Sequence, residues 1–104
     1  MFGDLFGKLQ EAQQKMQESK ERLRHILVDA EAGNGAVKVV VTGGREVRSV
    51  EIDPSLLVAD RKEELEDLLI TALNRGLKQA EETWEAEMKG MAGGMLGGMG
   101  LPGM

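Results

Sequence analysis

The side chains best placed to do chemistry in this sequence are basic ones. Lys8, Lys15 and Arg22 recur at intervals of seven. On a helix that spacing lines them along one side, where a row of cations could track phosphates. Glu11, Glu18 and His25 fall three or four residues from these bases, and a ladder of such pairs largely neutralises itself. Lys20 has no acid three or four residues away, Arg24 has only Glu21, and Arg75 has none. Cations left uncompensated within their own helix are the ones an anionic partner can use. The candidate phosphate-contacting residues are Lys15, Lys20, Arg22, Arg24, Arg75 and Lys78, of which Lys20, Arg24 and Arg75 are the least compensated; Lys8 can be satisfied by Glu11.

Other chemistries find little support. His25 is the one histidine and there is no cysteine, so nothing completes a metal shell around it and it reads as a solvated surface residue. Trp84 could stack on a base, but it continues an apolar helical stripe and is read as packing at a dimer contact. Glu63, Glu64, Glu66 and Asp67 open a helix, where carboxylates complement its dipole. There is no GxGxxG, no P-loop and no GxSxG. An enzyme is not expected, nor a metal, a cofactor or a small-molecule substrate. Thirteen basic against eighteen acidic residues give a net charge of −5, which argues against binding nucleic acid by bulk charge alone. The start MFGDLFGK lacks an apolar signal-peptide core. No apolar run reaches the ~18 residues of a membrane span. The expected location is the cytoplasm, with no membrane partner.

Two long helices must position the bases. Leu5, Leu9, Ala12, Met16, Ser19, Leu23, Ile26 and Ala30 alternate spacings of four and three, the seam of a heptad repeat. A helix from Asp4 to about Leu27 would extend roughly 35–40 Å. That exceeds the width of a small domain, so the seam needs a partner helix, and Leu9, Met16, Leu23, Ile26 and Trp84 are the candidate dimer-interface residues. Between the helices the period changes to two. Val28–Ala32, Ala36–Thr42 and Glu46–Ile52 read as three strands, joined through Gly33-Asn34-Gly35 and Gly43-Gly44. Val47 is out of phase with Val50 and Ile52, which a bulge near Ser49 would explain. Asp53-Pro54 ends the sheet, Pro54–Leu57 reads as one helical turn, and Asp60 with Glu63 resembles a capping box. Leu65, Leu68, Leu69, Ala72, Leu73, Gly76, Leu77, Ala80, Trp84 and Met88 then recur at helical spacing. The stripe narrows after Leu77, so the second half of this helix should project.

The order is α-β-β-β-α, an α+β domain over residues 1–89 with a three-stranded antiparallel sheet. Gly90–Met104 holds seven glycines, four methionines and no charged side chain, and is expected to be a flexible tail.

Gly35-Ala36-Val37-Lys38-Val39, the run Val50-Glu51-Ile52-Asp53-Pro54-Ser55-Leu56-Leu57, Glu64–Leu68 and Ala80–Thr83 resemble the bacterial YbaB/EbfC nucleoid-associated protein family. Met1-Phe2-Gly3 and the glutamine-rich first helix fit as well, so the likeness covers about residues 1–90. It implies an intertwined homodimer whose long helices protrude like tweezers and bind double-stranded DNA. It also implies a place in the nucleoid and a role in nucleoid organisation or gene regulation. The competing reading is a coiled-coil-like interaction module with a protein partner and no DNA. The distribution of positive charge in the dimer separates the two.

Overall fold

A computed structural model describes the backbone of residues 2–98 and the side chains of residues 3–91. Helix α1 (Phe2–His25) leads into strands β1 (Leu27–Ala32), β2 (Val37–Thr42) and β3 (Val47–Ile52). Two 3-10 turns, Pro54–Leu56 and Ala59–Arg61, precede helix α2 (Lys62–Gly98). The strands form an antiparallel meander in the order β1-β2-β3. This is the α+β, α-β-β-β-α architecture read from the sequence.

The register fixes which side chains face the core. Ala30 pairs with Val39 and Ala32 with Val37, while Val39 pairs with Val50 and Val37 with Ile52. Val37, Val39 and Val41 are buried on one face. The β2–β3 ladder then slips: Val40 pairs with Ser49 but Val41 with Val47, leaving Arg48 as the extra residue of a bulge. The bulge returns Val47 to the same face as Val50, the phase problem visible in the sequence. At the β1–β2 turn, Gly33, Asn34 and Gly35 all take positive φ, at 65°, 55° and 85°. Glycine and asparagine tolerate this left-handed backbone.

Helix α2 lies on the buried face and comes close to it at Gly76. A Cβ there would sit 2.8 Å from Val41 Cγ2 and 3.5 Å from Ala30 Cβ. Small residues on both sides, Ala72 and Gly76 on the helix and Ala30 and Ala32 on β1, let the backbones come this close. Leu56 plugs the core from the first 3-10 turn. The side chain of Asp53 caps that turn by accepting the Ser55 N–H at 2.9 Å. The capping box expected from Asp60 and Glu63 does not form: Val58 precedes the second 3-10 turn with no side-chain cap. Arg61 fastens the entry to α2 instead, donating to Glu64 at 2.8 Å and to the Ser55 carbonyl at 3.1 Å.

Helix α1 ends earlier than its heptad seam suggests. Ile26 lies between α1 and β1, and Ala30 is a strand residue in the core. No glycine or proline stops the helix. Ile26 instead donates to the Leu23 carbonyl at 3.2 Å and accepts the Gly43 N–H at 2.9 Å, and pairing of β1 with β2 outweighs another helical turn.

From its second half onward α2 runs antiparallel to α1. Ser19 contacts Glu87 and Met91, and Lys15 shares a cleft with Gly90 and Met91. The molecule measures 69 × 28 × 17 Å. A six-residue strand spans only ~20 Å, so the long axis belongs to the helices, which extend beyond the sheet. The segment expected to be a flexible tail, 90–104, divides: α2 continues through Gly98, and the remainder lies outside the described residues.

Candidate nucleic-acid interface

The six candidate bases divide by what holds them. Lys15 pairs with Glu11 at 3.7 Å and Arg24 with Glu21 at 3.2 Å, each within α1. Glu11 thus compensates Lys15 rather than Lys8, and Glu21 also contacts the exposed His25 at 3.2 Å. Arg75 has no acidic partner among the described residues, as its spacing indicates, but donates to the Glu31 backbone carbonyl at 2.9 Å, tying α2 to β1. Lys20 and Lys78 are exposed and make no ion pair among the described residues. No group of three or more His, Asp or Glu residues able to hold a metal occurs among the described residues.

Arg22 departs furthest from its expected place. Its partner is Glu87 on α2 rather than Glu18, and it also donates to the Ser19 hydroxyl at 2.9 Å. Ser19, the polar member of the seam, is 1% exposed and donates to Glu87 at 3.0 Å. A hydroxyl therefore serves at a heptad position because it faces a carboxylate on the neighbouring helix. The Arg22 guanidinium, and then the Ser19 hydroxyl, hold the Glu87 carboxyl below its ordinary 4.5. The Ser55 N–H does the same for Asp53, and Arg61 for Glu64.

A carboxyl whose pKa is lowered on folding adds stability above its unfolded value, and that stability is lost as pH falls through the folded value. The thermal midpoint should therefore hold steady above about pH 5 and fall below about pH 4.5. Glu87→Gln should make that acid limb shallower while Asp53 and Glu64 still contribute. Trp84, the one tryptophan, lies one turn away and reports the contact by fluorescence. An unchanged acid limb in Glu87→Gln would place the acid sensitivity elsewhere.

Of the candidate interface residues, Leu23 is fully buried within its own chain. Met16 is half-buried, Leu9 is 53% exposed, and Ile26 at 39% has left the helix. Trp84 is half-buried beneath Arg45, whose guanidinium carbon stands 4.8 Å from the ring centroid.

Two arginines near this site escaped the sequence reading. Arg45 lies in the β2–β3 turn at φ 66°, which costs a non-glycine residue about 1 kcal/mol. Stacking on Trp84 offsets part of that cost, since such contacts contribute ~0.5–1 kcal/mol. Arg48, at the bulge, donates to the Arg24 carbonyl at 3.4 Å, at the end of α1. The phase slip and the turn were visible in the sequence. Their proximity to the end of α1 follows from the chain reversal at Ile26, which no local signal marks.

A sequence model of the YbaB/EbfC DNA-binding family matches residues 1–95. The chain belongs to the YbaB/EbfC DNA-binding family. Among solved structures it is similar to the uncharacterized protein HP0035 from Helicobacter pylori, at 31% identity and a TM-score of 0.76. That match covers 92% of this chain and 97% of the other, so the shared fold takes in both helices and the sheet of the YbaB/EbfC domain. No helix among the described residues is long and apolar enough to cross a membrane.

Proposed function

We propose that this YbaB/EbfC chain is a nucleoid-associated protein that binds double-stranded DNA as a homodimer, through its projecting helices. The observation that carries the reading is the placement of Lys20 on α1 and Lys78 on α2, each exposed and without an ion-pair partner among the described residues. Phosphate contacts of this kind position a duplex without reading its sequence, in keeping with an architectural role in the nucleoid of the cytoplasm. Glu81, Glu82 and Glu85 on the outer part of α2 are exposed. They oppose DNA along the outer part of α2, so the helix contacts are proposed to lie on α1 and the Arg75–Lys78 segment.

The homodimer has support from apolar surface that the sequence did not reveal. Val47 and Val50 face the α2 side of the sheet, yet they are 47% and 44% exposed. Helix α2 lies over β1 and β2: Gly76 packs on Val39, Val41 and Ala30, and Arg75 reaches β1. The opposite flank of α2 carries Ile70 and Leu77, 58% and 36% exposed. Leu57 and Val58 are also open, at 62% and 52%. A second copy is the proposed cover for these open apolar side chains.

Binding of a labelled random-sequence duplex, measured by fluorescence anisotropy at several salt concentrations, tests the DNA reading. Lys20→Ala with Lys78→Ala should weaken binding several-fold and reduce the salt slope by about one for each phosphate no longer neutralised. Lys15→Ala, whose base Glu11 already engages, should have a smaller effect. No binding at about 50 mM salt would move the assignment to a protein-partner module.

A further inference from the structure

We infer that Arg45 and Arg48, beside Arg24, form a second phosphate-binding surface for duplex DNA, at the sheet end where the β2–β3 turn meets the end of α1. The inference rests on the DNA reading above and extends the contact surface beyond the projecting helices. The chain has six arginines. Arg61 and Arg75 are tied to Glu64 and to the Glu31 carbonyl. The other four gather around this corner. Arg22 is held by Glu87, one helical turn from Trp84, and the remaining three lie at this end of the sheet. A Cβ on Gly44 would lie 3.5 Å from Arg24 Cγ, and Arg48 donates to the Arg24 carbonyl at 3.4 Å. Arg45, next to Gly44, lies over Trp84 at 4.8 Å.

Neither Arg45 nor Arg48 has a carboxylate partner among the described residues. Glu21 engages Arg24, and the exposed Glu46 is the other acid of the turn. Guanidinium groups match the geometry of phosphate oxygens and bind them in pairs.

Backbone strain singles out Arg45. The β1–β2 turn gives its left-handed positions to Gly33, Asn34 and Gly35, whereas the β2–β3 turn gives its one to an arginine at φ 66°. A turn selected for stability alone would place glycine or asparagine there. Strain kept at an exposed charged residue points to use of the side chain.

The opposed effects on stability and binding provide the test. Arg45→Gly with Arg48→Gln, in the full chain, relieves the strain and removes both charges. Its thermal midpoint should stay level or rise, while duplex affinity at about 100 mM salt falls at least fivefold. The slope of log K against log salt should drop by about two if one protomer's surface contacts the duplex and about four if both do. Arg45→Lys with Arg48→Lys should retain most of the slope, and it carries the test if the first variant does not fold. A wild-type chain that binds with affinity and slope unaltered in Arg45→Gly/Arg48→Gln overturns this surface and leaves the helix reading standing. A wild-type chain that binds no duplex overturns both.

Discussion

Gly76→Leu should lower the thermal midpoint by roughly 4–24 °C. A side chain at this position has no room: its Cβ alone would come 2.8 Å from Val41 Cγ2, and the nearby Val39 Cγ2 is 3.4 Å away. Both valines are buried and held by strands on either side. Relief therefore requires lifting α2 from the sheet rather than turning a flexible side chain. Overpacking of this kind costs about 1–3 kcal/mol, and each kcal/mol shifts the midpoint of a domain this size by about 4–8 °C. Gly76→Ala isolates the contact. Helix propensity alone would reward alanine by ~1 kcal/mol, so a fall in the midpoint shows that the collision outweighs it. Gly90→Ala is the control, because a Cβ there meets nothing within 4 Å, and it should raise the midpoint. Equal gains in Gly76→Ala and Gly90→Ala would refute the close approach of α2 to β2.

The same glycine shows how far the sequence could be read. Its place in the apolar stripe of α2 was plain from spacing, as were the three strands, the turn glycines and the bulge. These features are local: each follows from side-chain period or from a residue's tolerance of one backbone conformation. Features that depend on the chain doubling back were not legible. Leu23 and Ser19 carry the same heptad signal as Leu9, yet the first two are buried by their own chain and Leu9 is not. Periodicity says that a face is covered without saying by what. The bases follow the same division. The pairing of Arg24 with Glu21 came from helical spacing, whereas the contact of Arg22 with Glu87 crosses 65 residues. The Arg24–Arg45–Arg48 corner likewise needs the reversal at Ile26.

The ion pairs also bear on how an acidic chain can hold an anionic duplex. Part of its negative charge is engaged in ion pairs or gathered on one segment. Glu11, Glu21, Glu64, Glu66 and Glu87 each compensate a base, while Glu81, Glu82 and Glu85 occupy the outer part of α2. Net charge averages over these places, whereas a duplex responds to the field within about a Debye length of its phosphates, ~10 Å at moderate salt. Lys20 and the proposed arginine corner can then act locally although the whole molecule is acidic.

Val50→Glu with Ile70→Glu should convert the proposed homodimer to a folded monomer. Sedimentation equilibrium at micromolar concentration should fall from about twice 11.3 kDa to 11.3 kDa. Both residues are open within the protomer, 44% and 58% exposed, so a carboxylate at either position stays hydrated in the monomer and leaves the core of Val37, Val39 and Val41 intact. In the proposed dimer the same carboxylates would lose water against an apolar partner, at a cost of several kcal/mol for each unpaired charge. Two-fold symmetry places every substitution twice in the interface. Even a net loss of about 4 kcal/mol weakens association by three powers of ten. Circular dichroism of the monomer should match the wild type, separating dissociation from unfolding. Leu9→Glu distinguishes these open side chains from the exposed start of α1, where Leu5, Phe6 and Leu9 are 57%, 64% and 53% exposed. If Leu9→Glu dissociates the dimer while Val50→Glu/Ile70→Glu does not, the helix seam rather than Val50 and Ile70 holds the copies together. A wild-type chain that sediments as a monomer would remove the homodimer from the proposal altogether. The salt slope would then be set by one copy's bases rather than two.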